Sequence, residues 1–151
     1  MARATTAKFE ELIIEVEFSP GSGSYVSICG QVDQDVSRTT NMDTDEVPDC
    51  DDESLPLSVE RSPRSQEVVY TGAGVWALQS HQNMMAWWRA ADTRVVRIRN
   101  AKVQADGSSG DTSIEYGPAY LTQLNNAKTK GKRVDANIQI EWDGVPSVIT
   151  L

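Results

Sequence analysis

The sequence predicts a mainly β protein with a single helix, and three observations carry that expectation. Apolar and polar residues alternate with a period of two through Leu12–Phe18, Val68–Leu78 and Val134–Trp142, as in strands with one covered face. One segment, Ser80–Ala91, has helical spacing instead. Breaks rich in Gly, Pro and Ser separate the alternating runs, the punctuation of strands and hairpins. At 151 residues the chain reads as one domain, residues 1–151, long enough to bury a core without staples.

Taken in order, Phe9–Phe18 is the first strand, with Leu12, Ile14, Val16 and Phe18 against Glu11, Ile13, Glu15 and Glu17. Pro20–Ser24 turns the chain and Tyr25–Cys29 returns, so the pair reads as a hairpin that Gly30 ends. Gln31–Asn41 is polar, and its pattern fits an extended strand or a loop equally well. Between Asp43 and Glu53 stand Asp43, Asp45, Glu46, Asp49, Asp51, Asp52 and Glu53 with no basic residue among them. Such a run repels itself and builds no core, so it reads as a solvated loop. Leu57–Glu60 is then a short strand and Arg61–Gln66 a charged turn around Pro63. The whole excursion Asp43–Gln66 is long for a compact domain, and loops of that length are commonly functional or disordered.

Val68–Arg99 is the centre of the chain, a strand, a helix and a strand. Val68, Tyr70, Gly72, Gly74, Trp76 and Leu78 share one parity, and the two glycines mark close approach by a neighbour. Ser80 is placed to cap a helix to about Ala91, with Met84, Trp88 and Ala91 on one stripe and Met85 beside them. Val96 and Ile98 then face one way, Arg97 and Arg99 the other. Trp76, Trp87 and Trp88 fall in this stretch, and burying such rings dominates a small core.

Ala105–Asp111 is a turn. Thr112–Tyr116 and Ala119–Leu124 read as one strand interrupted at Gly117-Pro118, where proline implies an edge or bulge. Asn125–Arg133 is a polar connection holding Lys128, Lys130, Lys132 and Arg133. Val134–Trp142 alternates most cleanly of all, Asp143-Gly144 turns it, and Val145–Leu151 supplies a final short strand.

Composition narrows the function classes. The chain carries 22 acidic and 14 basic residues, a net charge of −8, which argues against a general nucleic-acid binder. An acidic surface near DNA repels the polymer instead of holding it. No apolar run reaches the roughly 18 residues of a membrane span, and no signal peptide is evident at the start, so a soluble protein made in a cytoplasm is expected. Cys29 and Cys50 lack metal-ligand spacing and read as free thiols.

The same residues offer no catalytic constellation, and no cofactor is expected. His81, the one histidine, reads as a surface or capping side chain, since no nucleophile elbow accompanies it. The glycines near Gly21–Gly23 and Gly107–Gly110 lack the lysine of a phosphate loop. An EF-hand aligned on Asp43 fails, with Pro48 at its glycine position and Ser54 at its bidentate glutamate.

Several phrases resemble the major tail tube proteins of long-tailed bacteriophages. They are Gly72-Ala73-Gly74-Val75-Trp76-Ala77 leading into Met84–Arg89, and Tyr116-Gly117-Pro118-Ala119-Tyr120-Leu121-Thr122 before a polar turn. The third is the strand Val134–Trp142 ending in Asp143-Gly144-Val145-Pro146. The resemblance implies a β-sandwich or barrel-like domain with one flanking helix and a long early loop. It implies a structural virion protein with no enzymatic activity, assembled in the host cytoplasm. Six copies would close into a ring whose sheets join as an inner barrel, and rings would stack into a hollow tail tube. DNA would be transient cargo, other phage tail proteins the partners, and no membrane anchor is called for. On this reading the long loop reaches to a neighbouring subunit or ring and makes contact through its acids and through Arg61 and Arg64. Arg94, Arg97, Arg99 and Lys102 lie at contacts between subunits, opposite that acidic loop. Glu11, Glu15, Glu17, Asp135 and Glu141 are the acids expected to face the lumen. The loop is expected to be mobile in the monomer and ordered in the tube.

A second reading is an acidic β-sandwich binding module that uses residues 43–53 for calcium or a basic protein partner. A small hydrolase with scattered carboxylates is the third, and the lack of a second histidine counts against it.

Overall fold

The computed structural model describes residue 3, residues 12–100 and residues 113–150. Its elements in chain order are β1 (Leu12–Val16), β2 (Val26–Ser27), β3 (Gln31–Val47), β4 (Ser58–Val75), α1 (Leu78–Ala90), β5 (Arg94–Asn100), β6 (Ser113–Ala127), β7 (Asp135–Trp142) and β8 (Ser147–Thr150). The strands join one sheet in the order β2-β1-β5-β6-β7-β4-β3, with β8 also paired to β6. Every pairing is antiparallel. The mainly β class is therefore observed, with one helix among the described residues.

One face of the sheet carries the core. Register rows align Val16 with Val96, Ile14 with Ile98, Leu121 with Ile140, and Ile140 with Tyr70, so the apolar parity of each strand points the same way. Ile14, Val16, Val68, Tyr70, Val96, Ile98, Leu121, Ile138 and Ile140 are buried there, and Met84 and Trp87 of α1 close over them. Trp87 is 1% exposed; its indole N–H donates to the Asp92 carbonyl at 3.0 Å, and its ring meets Phe18 edge-on. Such a ring, packed and with its polar atom satisfied, is the anchor the helix needs. Gly72 and Gly74 behave as their spacing predicts. A Cβ on Gly74 would fall on the Gly30 carbonyl, and one on Gly72 on the Gln31 side chain.

Four local expectations are corrected. The helix starts at Leu78, two residues before Ser80, and its cap residue Ala77 makes no side-chain capping bond. The Ser80 hydroxyl instead accepts the Cys29 N–H at 3.3 Å, tying the helix to the chain after β2. On the helix Trp87, not Trp88, is the core residue; Trp88 is 49% exposed, because the face turned to the sheet is centred between Met84 and Trp87 and Trp88 lies on its far flank. Asp143-Gly144 does not fold β7 back on a new partner: β8 continues along β6, where β7 left off. The break falls at Pro118, whose carbonyl accepts the Asp143 N–H at 2.8 Å. β6 itself runs unbroken through Gly117-Pro118.

The largest correction concerns residues 31–75. The expected loop over Asp43–Gln66 is a β-hairpin arm: β3 and β4 pair from Gln31↔Gly74 out to Val47↔Ser58, leaving only residues 48–57 as its loop. β4 pairs with β7 only over Val69–Val75. Beyond that point the arm is a two-stranded ribbon about 30 Å long at ~3.3 Å per residue. All its residues from Thr39 to Glu67 are exposed. With both faces wet, the hydrophobic alternation that betrays a strand is lost. The backbone ladder and cross-strand bonds hold it instead, including Asn41 Nδ2 to Ser65 Oγ at 3.0 Å and Gln66 Nε2 to Thr40 Oγ1 at 3.3 Å. Pro63 is accommodated beside a register shift at Asn41/Met42, on a ribbon with no third strand to want its missing N–H.

Candidate assembly surfaces

The sheet face opposite the core differs sharply between its two halves. Over β3, β4, β7 and the second half of β6, register rows run Asp33–Ala73–Asn137–Asn125 and Asp35–Thr71–Gln139–Gln123, then Ser37–Val69–Glu141–Tyr120. Asp135 lies opposite Val75, and Glu67 opposite Thr39. This face thus carries Asp33, Asp35, Glu67, Asp135 and Glu141, with amides and hydroxyls between them and no Lys or Arg in these rows. A shallow hollow of about 300 Å³ opens over its centre between Asp33, Asp35, Thr71 and Gln139. Uncompensated carboxylates on one face give a repulsive potential toward polyanions.

Both margins of this acidic face are open among the described residues. β3 is the last strand on one side. On the other, β5 pairs with β6 only as far as Ala119, so Tyr120–Ala127 has a partner in β7 alone. Two unpaired strand edges on one sheet are templates for another strand.

The second half of the outer face, over β1 and β5, is spent internally. Glu15 accepts from Arg97 Nε at 2.7 Å and lies 3.7 Å from Arg99, while the Tyr25 ring covers the Arg97 guanidinium at 3.9 Å. Glu17 is buried too, accepting the N–H groups of Gly21 at 2.8 Å and Gly23 at 3.2 Å. Arg94 pairs with Asp92 at 3.3 Å. Of the acids expected at the lumen, Asp135 and Glu141 lie on the acidic face, and Glu15 and Glu17 are engaged inside the protomer. Glu11 is outside the described residues. Of the contact bases, Arg94, Arg97 and Arg99 have internal partners and Lys102 is outside the described residues. The same face also carries Asp33, Asp35 and Glu67, which the alternation did not single out, although Asp33, Asp35, Ser37 and Thr39 share one parity in the segment whose pattern also fits a loop.

Asp43, Asp45 and Glu46 stand on β3, and Arg61 and Arg64 on β4; Arg64 approaches Asp43 at 3.9 Å. Asp49, Asp51, Asp52 and Glu53 occupy the tip. There the Asp49 carboxylate accepts the N–H groups of Asp51 and Asp52 at 2.8 and 3.1 Å. The Ser54 hydroxyl, then the Ser54 N–H, bond to Asp52 and hold its carboxyl below the usual carboxylate value. The tip is therefore a structured turn. Among the described residues no group of three or more His, Cys, Asp or Glu side chains is arranged to hold a metal ion. None of the described helices is long and apolar enough to cross a membrane.

The family model described as phage tail tube protein matches residues 6–148. None of the curated proteins matches the chain. Among solved structures, the fold is similar to a chain from the tail of an empty gene transfer agent particle with C6 symmetry, at TM-score 0.70 and 16% identity, covering 95% of this chain and 99% of that one. A chain of the native gene transfer agent virion aligns at TM-score 0.67 and 14% identity, covering 95% and 99%. The SPP1 tail tube aligns at TM-score 0.65 and 8% identity, covering 96% and 78%. At such identities the likeness is one of fold.

Proposed function

The chain belongs to the phage tail tube protein family, and from that premise we propose that six copies close edge to edge into a ring whose bore is the acidic face. The single observation that carries this reading is the coincidence of that face with two open edges. The β3 edge of one copy pairs with the Tyr120–Ala127 edge of the next, so that four strands from each copy form one barrel. A barrel of roughly 24 strands is wider than the 16–18 strands that already leave an aqueous channel. The sixfold number takes its support from the C6 tail to which the fold is similar. Closure removes exposed edges that a lone sheet otherwise has to protect.

Asp33, Asp35, Glu67, Asp135 and Glu141 then line the bore, where like charge keeps DNA phosphates from condensing on the wall. DNA is transient cargo, read neither by sequence nor by groove. The arm leaves the ring and contacts a neighbouring copy. A two-stranded ribbon is marginal alone in water, so that contact adds to the ladder that holds it. Rings stack, other tail proteins begin and end the tube, and the product is a virion component put together in the host cytoplasm. The activity is assembly, not catalysis.

The test is electron microscopy of the purified protein over a range of concentrations, followed by reconstruction of any tubes. Hollow sixfold rings with Asp35 and Gln139 on the bore are expected. A reconstruction that puts those two residues on the tube exterior would overturn the assignment of the lumen.

A further inference from the structure

The two open edges of the acidic face differ in charge. β6, β7, β4 and β3 are neighbours and every pairing among them is antiparallel, so β3 and β6 run in opposite directions. A β3 edge that meets the Tyr120–Ala127 edge of a copy in the same orientation is therefore antiparallel to it. So is a β3 edge that meets a second β3 edge about a two-fold axis, and so are two β6 edges brought together likewise. The backbone permits all three contacts, and only the first builds a ring. A two-fold pair closes on itself as a dimer and covers an edge that the ring requires.

β3 is acidic along its length. Asp33, Asp35, Asp43, Asp45 and Glu46 lie on it, and its one base, Arg38, is held by Glu115 with Nε at 3.1 Å. Asp33 and Asp35 share the acidic face and are exposed. Two β3 edges overlapping there about a two-fold axis set the carboxylates of one copy directly or diagonally opposite those of the other. Like charges so placed are destabilising. Tyr120–Ala127, in contrast, has no charged residue. On the acidic face it offers the exposed amides of Gln123 and Asn125, whose N–H groups donate well to carboxylates. On the core face, Val36 of β3 and Leu124 of β6 are only partly buried against the core, one such apolar side chain at each margin.

We propose that charge selects the edge: Asp33 and Asp35 accept the amide-bearing Tyr120–Ala127 edge of another copy and bar two β3 edges from pairing. This deepens the ring reading and rests on it. Val36 and Leu124 extend the apolar core across the boundary and supply attraction, and the carboxylates choose the partner. Two β6 edges are kept apart by shape instead. The free segment is short, β5 walls one end at Arg94↔Ala119, and a register shift at Leu121/Gln123 interrupts the ladder. A two-fold β6 pair meets that interruption twice.

Asp33→Asn with Asp35→Asn removes the repulsion, and sedimentation velocity should then show a dimer at concentrations where the wild type shows none. Gln123→Glu with Asn125→Asp puts carboxylates on both edges. The concentration needed for rings, scored by electron microscopy, should rise at least tenfold. Adding Asp33→Lys and Asp35→Lys to that chain makes the edges opposite in charge and should bring the rings back. All four side chains are exposed, so the circular dichroism spectrum should stay unchanged throughout. Rings from the Gln123→Glu, Asn125→Asp chain at wild-type concentration, or no dimer from the Asp33→Asn, Asp35→Asn chain, overturn the charge rule and leave the ring standing. A wild-type protein that forms neither rings nor tubes overturns the ring reading, and the rule with it.

Discussion

Replacing Glu15 by Gln removes the one carboxylate that two guanidinium groups share. Glu15 is 8% exposed, and the side chains of Arg97 and Arg99 are 24% and 31% exposed. Breaking a fully buried pair costs about 3–5 kcal/mol, because the surviving charge stays out of water. Here water still reaches both arginines, and the Tyr25 face retains some hold on Arg97, so the cost should be lower. Discounting for that solvation gives about 2–3 kcal/mol. In a domain of this size each kcal/mol is worth roughly 2–4 °C, so the melting temperature should fall by about 5–10 °C. Urea unfolding followed by tryptophan fluorescence measures it, with Arg38→Gln as the internal comparison. The Arg38–Glu115 pair is more open, with side chains 51% and 25% exposed, and should cost at most about 1 kcal/mol. If Glu15→Gln costs no more than Arg38→Gln, burial does not govern the Glu15 cluster and the reasoning fails.

Two further substitutions probe the core and the root of the arm. Gly74→Ala places a Cβ against Gly30 O, Gln31 Cα and Val32 N, all backbone atoms where the chain enters β3. It should destabilise by about 1–3 kcal/mol, whereas Gly117→Ala, whose nearest neighbours lie at 3.4 Å, should cost less in the same denaturation experiment; equal costs would deny the close approach. Burial raises the Tyr70 phenol well above its ordinary value of 10.0. The unfolded chain therefore loses that proton first, and stability should fall as pH rises past the ordinary value. Tyr70→Phe should flatten this alkaline decline in unfolding midpoints, while costing about 1 kcal/mol at neutral pH for the hydroxyl's bond to Gln34 Oε1. An undiminished decline would assign it to other groups.

Where one side of a segment is buried, its sequence is enough to read it. Val134–Trp142 and Val68–Val75 announced their strands because every second residue had to enter the core, and a slip of one residue would have exposed them all. Gly72 and Gly74 announced a neighbour because their lack of a side chain has that one use in a strand. The chain's own residues also fixed an acidic, mainly β domain with a single helix, and carried the likeness to tail tube proteins. The arm was illegible for the opposite reason. Its strands bury nothing, so composition reported only charge, and the pairing of Val47 with Ser58 had to be seen in space. The fate of each charge was equally hidden. Glu15 and Glu141 look alike in alternating strands, yet the fold sets Arg97 beside the first and Val69 and Tyr120, with no cation, beside the second. Periodicity states which residues share a face. Only the order of strands in the sheet decides what that face meets, and so which carboxylates pair inside the protomer and which stand unpaired on the open face.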